Sequence, residues 1–82
     1  MKELDDLDPA IHAALDPLTT EERRMFSDDM DARFPDAATL VTSDPSAAME
    51  RAWQLASGRL LSDPLDPIGE AWSRFAISLF SQ

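Results

Sequence analysis

The chain has 82 residues, of which 16 are acidic and 7 basic, for a formal net charge of −9. That balance excludes a free-standing nucleic-acid binder, because displacing the counterions of a phosphate backbone takes Lys and Arg, which the acids here outnumber more than two to one. With no cysteine there is neither a disulfide nor a thiolate metal site to reinforce a small core.

Hydrophobic residues make up 44% of the chain, too many for a disordered acidic tail. Residues 1–82 are therefore expected to form a single helical domain, with residues 1–7 flexible. No apolar run reaches the roughly 18 residues of a membrane-spanning helix. The start, MKELDDLDP, lacks the basic and apolar stretches of a secretory signal, so a cytoplasmic location is expected.

Five of the six prolines follow an aspartate, at Pro9, Pro17, Pro45, Pro64 and Pro67. Aspartate at an N-cap accepts a hydrogen bond from the first turn, and proline at the first helical position has no N–H to leave unpaired, so each dipeptide reads as a helix start. It also ends whatever precedes it, since proline disfavours the helical region for its predecessor.

Pro9 to Leu15 reads as a short helix with Ile11, Ala14 and Leu15 on one side. The next helix starts at Thr19, where Thr19-x-x-Glu22 fits a capping box, and runs to about Arg33 before Pro35. Phe26, Met30 and Phe34 mark its inner stripe. Residues 36–43 read as a connecting loop.

A third helix starts at Asp44-Pro45 and ends near Ser57 or Leu61, with Met49, Trp53, Ala56 and Leu60 inward and Gly58 as either its C-terminal cap or an interior glycine. The last runs from Asp66-Pro67 to about Phe80 with Ile68, Trp72, Phe75, Ala76 and Leu79 on one face. No alternating strand pattern is present. The expected fold is all-α, a small bundle of three main helices plus one short N-terminal helix.

The catalytic inventory is poor. His12 is the only histidine, with no cysteine to activate and no serine in a Gly-x-Ser-x-Gly elbow. Asp28, Asp29 and Asp31 are crowded, but a calcium loop needs alternating oxygen ligands around a glycine turn, which this helical segment lacks. No glycine-rich phosphate cradle precedes a helix. The sequence thus points to a binding protein rather than an enzyme, with no cofactor and no metal.

Charge placement is more informative. Residues 1–36 hold 11 acids and 4 bases, net −7, while residues 37–82 hold 5 acids and 3 bases, net −2. First-turn carboxylates such as Glu21 and Glu22 complement the helix dipole. Asp5, Asp6, Asp28, Asp29 and Asp31 have no such local role, and they serve either solubility or adaptation to salt, or the attraction of a basic partner. Leu55, Leu61 and Ile77 fall off the inner stripes and are candidate apolar anchors at an interface. Met25 departs from the Phe26 line in the same way.

The string from Asp8 through Pro9, Ile11, Ala14, Leu15 and Pro17, then Thr20-Glu21-Glu22-Arg23 and Phe26, then Ala48-Met49-Glu50-Arg51-Ala52-Trp53, resembles small actinobacterial helical proteins. Members of that group are often encoded beside messenger-RNA endonuclease toxins. The resemblance covers residues 8–56 and implies an antitoxin-like accessory protein. A toxin that approaches RNA is basic, which suits an acidic partner. The chain departs from ordinary antitoxins in lacking a basic DNA-binding domain, and residues 66–80 match nothing in the group.

The expected function is an acidic interaction module that binds a basic protein partner and touches neither nucleic acid nor membrane directly. A nucleic-acid mimic blocking a DNA- or RNA-binding enzyme is one alternative, and a non-catalytic homodimer subunit is another.

Overall fold

In a computed structural model, the backbone of residues 2–81 and the side chains of residues 9–80 are described. Over that range the chain is all-α, with five helices and no strand: α1 (Lys2–Leu15), α2 (Thr20–Arg33), α3 (Ala37–Ser43), α4 (Pro45–Ser62) and α5 (Pro67–Ser81). The Cα radius of gyration is 11.6 Å, against about 12 Å for a compact domain of this length.

The five Asp-Pro dipeptides divide into three kinds. Asp44 and Asp66 start helices: the Asp44 carboxylate accepts from the Ala47 amide at 3.2 Å, and that of Asp66 accepts from the Ile68 amide at 3.2 Å. Asp63 and Asp16 do not. The Asp63 carbonyl accepts from the Asp66 amide at 2.9 Å, making a four-residue turn with Pro64 second, where its fixed φ fits. Asp16-Pro17 lies in the turn that follows α1, closed by the Leu18 amide on the Leu15 carbonyl.

Asp8-Pro9 is the largest departure from expectation. The short helix from Pro9 is in fact a 14-residue helix from Lys2 that continues through Pro9. The proline forgoes one backbone bond, and burial supplies the compensation: Ala10 and Ala14 are fully buried, with Ile11 and Leu15 packed on the core. Residues 2–7, within the segment expected to be flexible, belong to α1, while Met1 and the side chains of residues 1–8, with the Asp5 and Asp6 carboxylates, lie outside the described residues.

The expected loop at 36–43 is also helical. Ala37 and Val41, one turn apart, are buried, and this packing is what a seven-residue helix needs to persist. Asp44 then serves two helices, its amide closing α3 on the Leu40 carbonyl while its carboxylate opens α4.

The α2 prediction agrees with the structure. The Glu22 amide donates to Thr19 Oγ1 at 3.2 Å and the Thr19 amide donates to Glu22 Oε1 at 3.0 Å, a complete capping box. At the other end, Phe34 caps the helix and Pro35 follows in a turn closed by the Ala37 amide on the Phe34 carbonyl.

Helix α5 is central, contacting α4, α1 and α2. Its predicted face is buried throughout, and Trp72 lies at the core with its ring centroid 4.6 Å from Phe26, 5.5 Å from Phe75 and 6.2 Å from Phe34. The inner face of α4 is different from the predicted one. Ala48, Ala52 and Ala56 are buried in an i, i+4, i+8 row, while Trp53 is exposed and Met49 and Leu60 only partly buried. A row of alanines lets α4 approach a partner helix that already carries the bulky aromatics. Gly58 is interior to α4 rather than its cap.

Candidate functional site

Helix α2 carries the aspartates singled out in the sequence, and 100° per residue separates them. Asp28 and Asp31 fall about 200° and 140° from Phe26, on the outer face, whereas Asp29 falls only about 60° away, at the border of the buried stripe. The structure follows this geometry. Asp28 and Asp31 are exposed, while the Asp29 side chain retains 10% exposure.

Asp29 is the hub of a polar cluster on the core. Its Oδ2 accepts from Trp72 Nε1 at 2.7 Å, and its Oδ1 accepts from Arg33 Nε at 2.8 Å and from Arg59 Nη1 at 3.3 Å. Arg59 Nε also donates to Asp66 Oδ2 at 2.6 Å. One carboxylate thus joins α2, α4 and α5, and Asp66 joins the α5 cap to α4. Burying an indole demands a partner for its N–H, and Asp29 provides it.

The expectation that Asp29, like Asp28 and Asp31, has no local role is therefore corrected, because its lone pairs are engaged within the chain. The signal for this was its spacing, three residues after Phe26 and four before Arg33.

Three of the four remaining arginines tie down helix ends. Arg23 Nε donates to the Leu15 carbonyl at 3.1 Å, and Arg74 donates to the Ala13 and Ala14 carbonyls at 3.2 and 2.9 Å, so two cations serve the C-terminus of α1. Arg51 Nη2 donates to the Arg33 carbonyl at 2.8 Å, at the end of α2. These contacts satisfy carbonyls that a helix leaves open and place positive charge at the negative end of its dipole.

Ion pairs among the described residues engage Asp29, Asp66 and Glu70. Asp28 and Asp31 take part in none of them. The candidate apolar anchors separate as well. Leu61 is 87% exposed and Ile77 52%, joined by Leu65 and Phe80, whereas Leu55 is partly buried and packs on the core. Leu55 therefore has a structural contact that the sequence reading did not assign to it.

His12 is exposed, and no group of three or more His, Cys, Asp or Glu among the described residues is placed to hold a metal ion. Among the described residues no buried side-chain polar atom lacks a partner. No described helix is long and apolar enough to cross a membrane.

Two adjoining hollows, of about 580 and 520 Å³, lie along the gap between α2 and α4 and share Arg33 and Arg59. Comparison with family models, curated proteins and solved structures finds no match to this chain.

Proposed function

We propose that this chain is an acidic protein-protein interaction module that binds a basic protein partner, as an antitoxin-like or inhibitor protein does. The observation that supports this best is the commitment of the arginines. Arg23, Arg51 and Arg74 face backbone carbonyls, and Arg33 and Arg59 face Asp29 and Asp66. Few cations are left to pair with the exposed carboxylates, so Asp28 and Asp31 present unneutralised charge to an approaching protein.

Such charge sets encounter rate and partner choice, while exposed apolar side chains supply most of the affinity. Leu61 and Ile77 are suited to that second role. The resemblance of residues 8–56 to proteins encoded beside RNA-cleaving toxins agrees with a basic partner of that class.

Co-purification from the native host at low and high salt tests the reading, using the chain itself and the Asp28→Asn/Asp31→Asn variant. Asp29 is left unchanged because it supports the core. A basic protein retained at low salt and released both by high salt and by the double substitution is the expected result. A partner indifferent to salt and to both substitutions overturns it.

A further inference from the structure

Gly58 is a position the fold does not require to be glycine. It lies inside the 18-residue helix α4 without a positive φ, and a Cβ built there meets nothing within 4 Å. A glycine in a helix interior costs about 1 kcal/mol relative to alanine. Gly69 is different, because a Cβ there would lie 2.9 Å from Leu60 Cγ and Cδ2. Close packing within the chain accounts for Gly69 and leaves Gly58 unexplained.

Gly58 lines the furrow formed by the two adjoining hollows. The α2 side, with Met25, Asp28 and Ala32, lines one hollow, the α4 wall, with Leu55, Gly58 and Ser62, lines the other, and Arg33 and Arg59 border both. Each set recurs at intervals of three or four residues, so both helices turn a single face to the gap. The main packing of α2 is on α5, and α2 meets α4 through side chains, with Arg59 on Asp29 and Arg51 on the Arg33 carbonyl, so the hollows lie on either side of the Arg33 and Arg59 side chains. From Leu55 to Ser62 the wall measures about 10 Å, two turns of helix.

The charge of the furrow selects its occupant. Its lining holds Asp28, Asp29, Asp63 and Asp66 against Arg33 and Arg59. Both arginines are already held by Asp29 and Asp66, so the carboxylates of the lining that are in no ion pair are Asp28 and Asp63, the latter accepting from the Leu65 amide through Oδ1 at 3.1 Å.

We propose that the α2–α4 furrow receives a short cationic amphipathic helix of the partner protein, with an apolar side chain seated over Gly58. Leu55 flanks that side chain, and Lys or Arg residues of the same helix reach Asp63 beside it and Asp28 in the adjoining hollow. This is the helix-in-groove mode of recognition, with the glycine making room in the α4 wall. The proposal rests on the basic-partner reading and specifies where on the surface that partner sits.

The test uses a synthetic amphipathic helix of Lys and Leu at helical spacing, titrated into the isotopically labelled full chain and followed by amide chemical shifts at low and high salt. Shifts centred on Met25, Ala32, Gly58 and Ser62 are expected. Gly58→Leu, which fills the space beside the α4 wall, is expected to weaken binding on the order of tenfold, a change of about 1.4 kcal/mol, without lowering the melting temperature. Asp28→Lys is expected to weaken binding independently and covers the case in which Gly58→Leu does not fold. Salt-dependent binding that maps elsewhere and ignores both substitutions overturns the furrow while sparing the basic-partner reading. No binding at either salt overturns both.

Discussion

The indole N–H of Trp72 donates to Asp29 Oδ2 at 2.7 Å, across 43 residues of sequence and between two helices. Trp72 is fully buried and ringed by Phe26, Phe34 and Phe75, so its one polar atom has its partner at the edge of the core. The same carboxylate receives Arg33 and Arg59. A side chain that would read as surplus surface charge thereby fixes how α2 sits on α5.

Asp29→Ala leaves a buried indole N–H and the Arg33 guanidinium without their acceptor and takes one of two carboxylates from Arg59, and is expected to destabilise the fold by about 2–3 kcal/mol. Asp29→Asn keeps an acceptor for Trp72 and is expected to cost less. Trp72→Phe removes the donor and also changes core volume. A double-mutant cycle of Asp29→Ala with Trp72→Phe in urea denaturation isolates the coupling, expected at about 1 kcal/mol or more. Additivity within error would show that the bond contributes nothing specific.

The two glycines are expected to respond with opposite signs. Gly58→Ala places its methyl in open space and is expected to stabilise the chain by about 1 kcal/mol. Gly69→Ala drives a methyl to 2.9 Å from Leu60 and is expected to destabilise by about 1–3 kcal/mol through overpacking. Thermal unfolding of the two variants side by side checks the contrast.

Helix ends provide a third comparison. Thr19→Ala and Asp44→Ala each remove one N-terminal cap, with an expected loss of about 1 kcal/mol. Asp66→Ala removes a cap and the acceptor of Arg59 at once, and is expected to cost more than either. Arg74→Ala frees the Ala13 and Ala14 carbonyls, and its signature is a local rise in amide exchange along α1. Equal losses for Asp44→Ala and Asp66→Ala would contradict the double role of Asp66.

What was legible in the sequence is what local chemistry decides. Thr19 and Glu22 close their own ring, and the apolar face of α5 repeats at helical spacing, so both could be read without knowing the neighbours. Asp8-Pro9 and Asp44-Pro45 share the same two residue types yet do different things, because burial of Ala10 and Ala14 carries α1 through the proline. The same holds for the inner face of α4. Trp53 is the more apolar choice, but the face that meets the aromatic-bearing α5 needed alanines, and only the packing partner specifies that. Asp29 lay in a row of aspartates, and its inward role depends on a tryptophan 43 residues away.

The candidate anchors Leu55 and Leu61 separate cleanly in a last experiment. Leu61 is 87% exposed, so Leu61→Asp is expected to change stability by no more than about 0.5 kcal/mol. Leu55 packs on the core, so Leu55→Asp is expected to destabilise by about 2 kcal/mol or more, as a charge placed against apolar neighbours does. Urea denaturation gives both values before any partner is added. Once a basic partner is in hand, Leu61→Asp is the informative variant, since the fold remains intact and any loss of binding reports on the surface alone. A Leu61→Asp chain that is stable and retains full partner affinity would remove Leu61 from the interface, leaving Ile77 and the α2–α4 furrow to account for the apolar contribution.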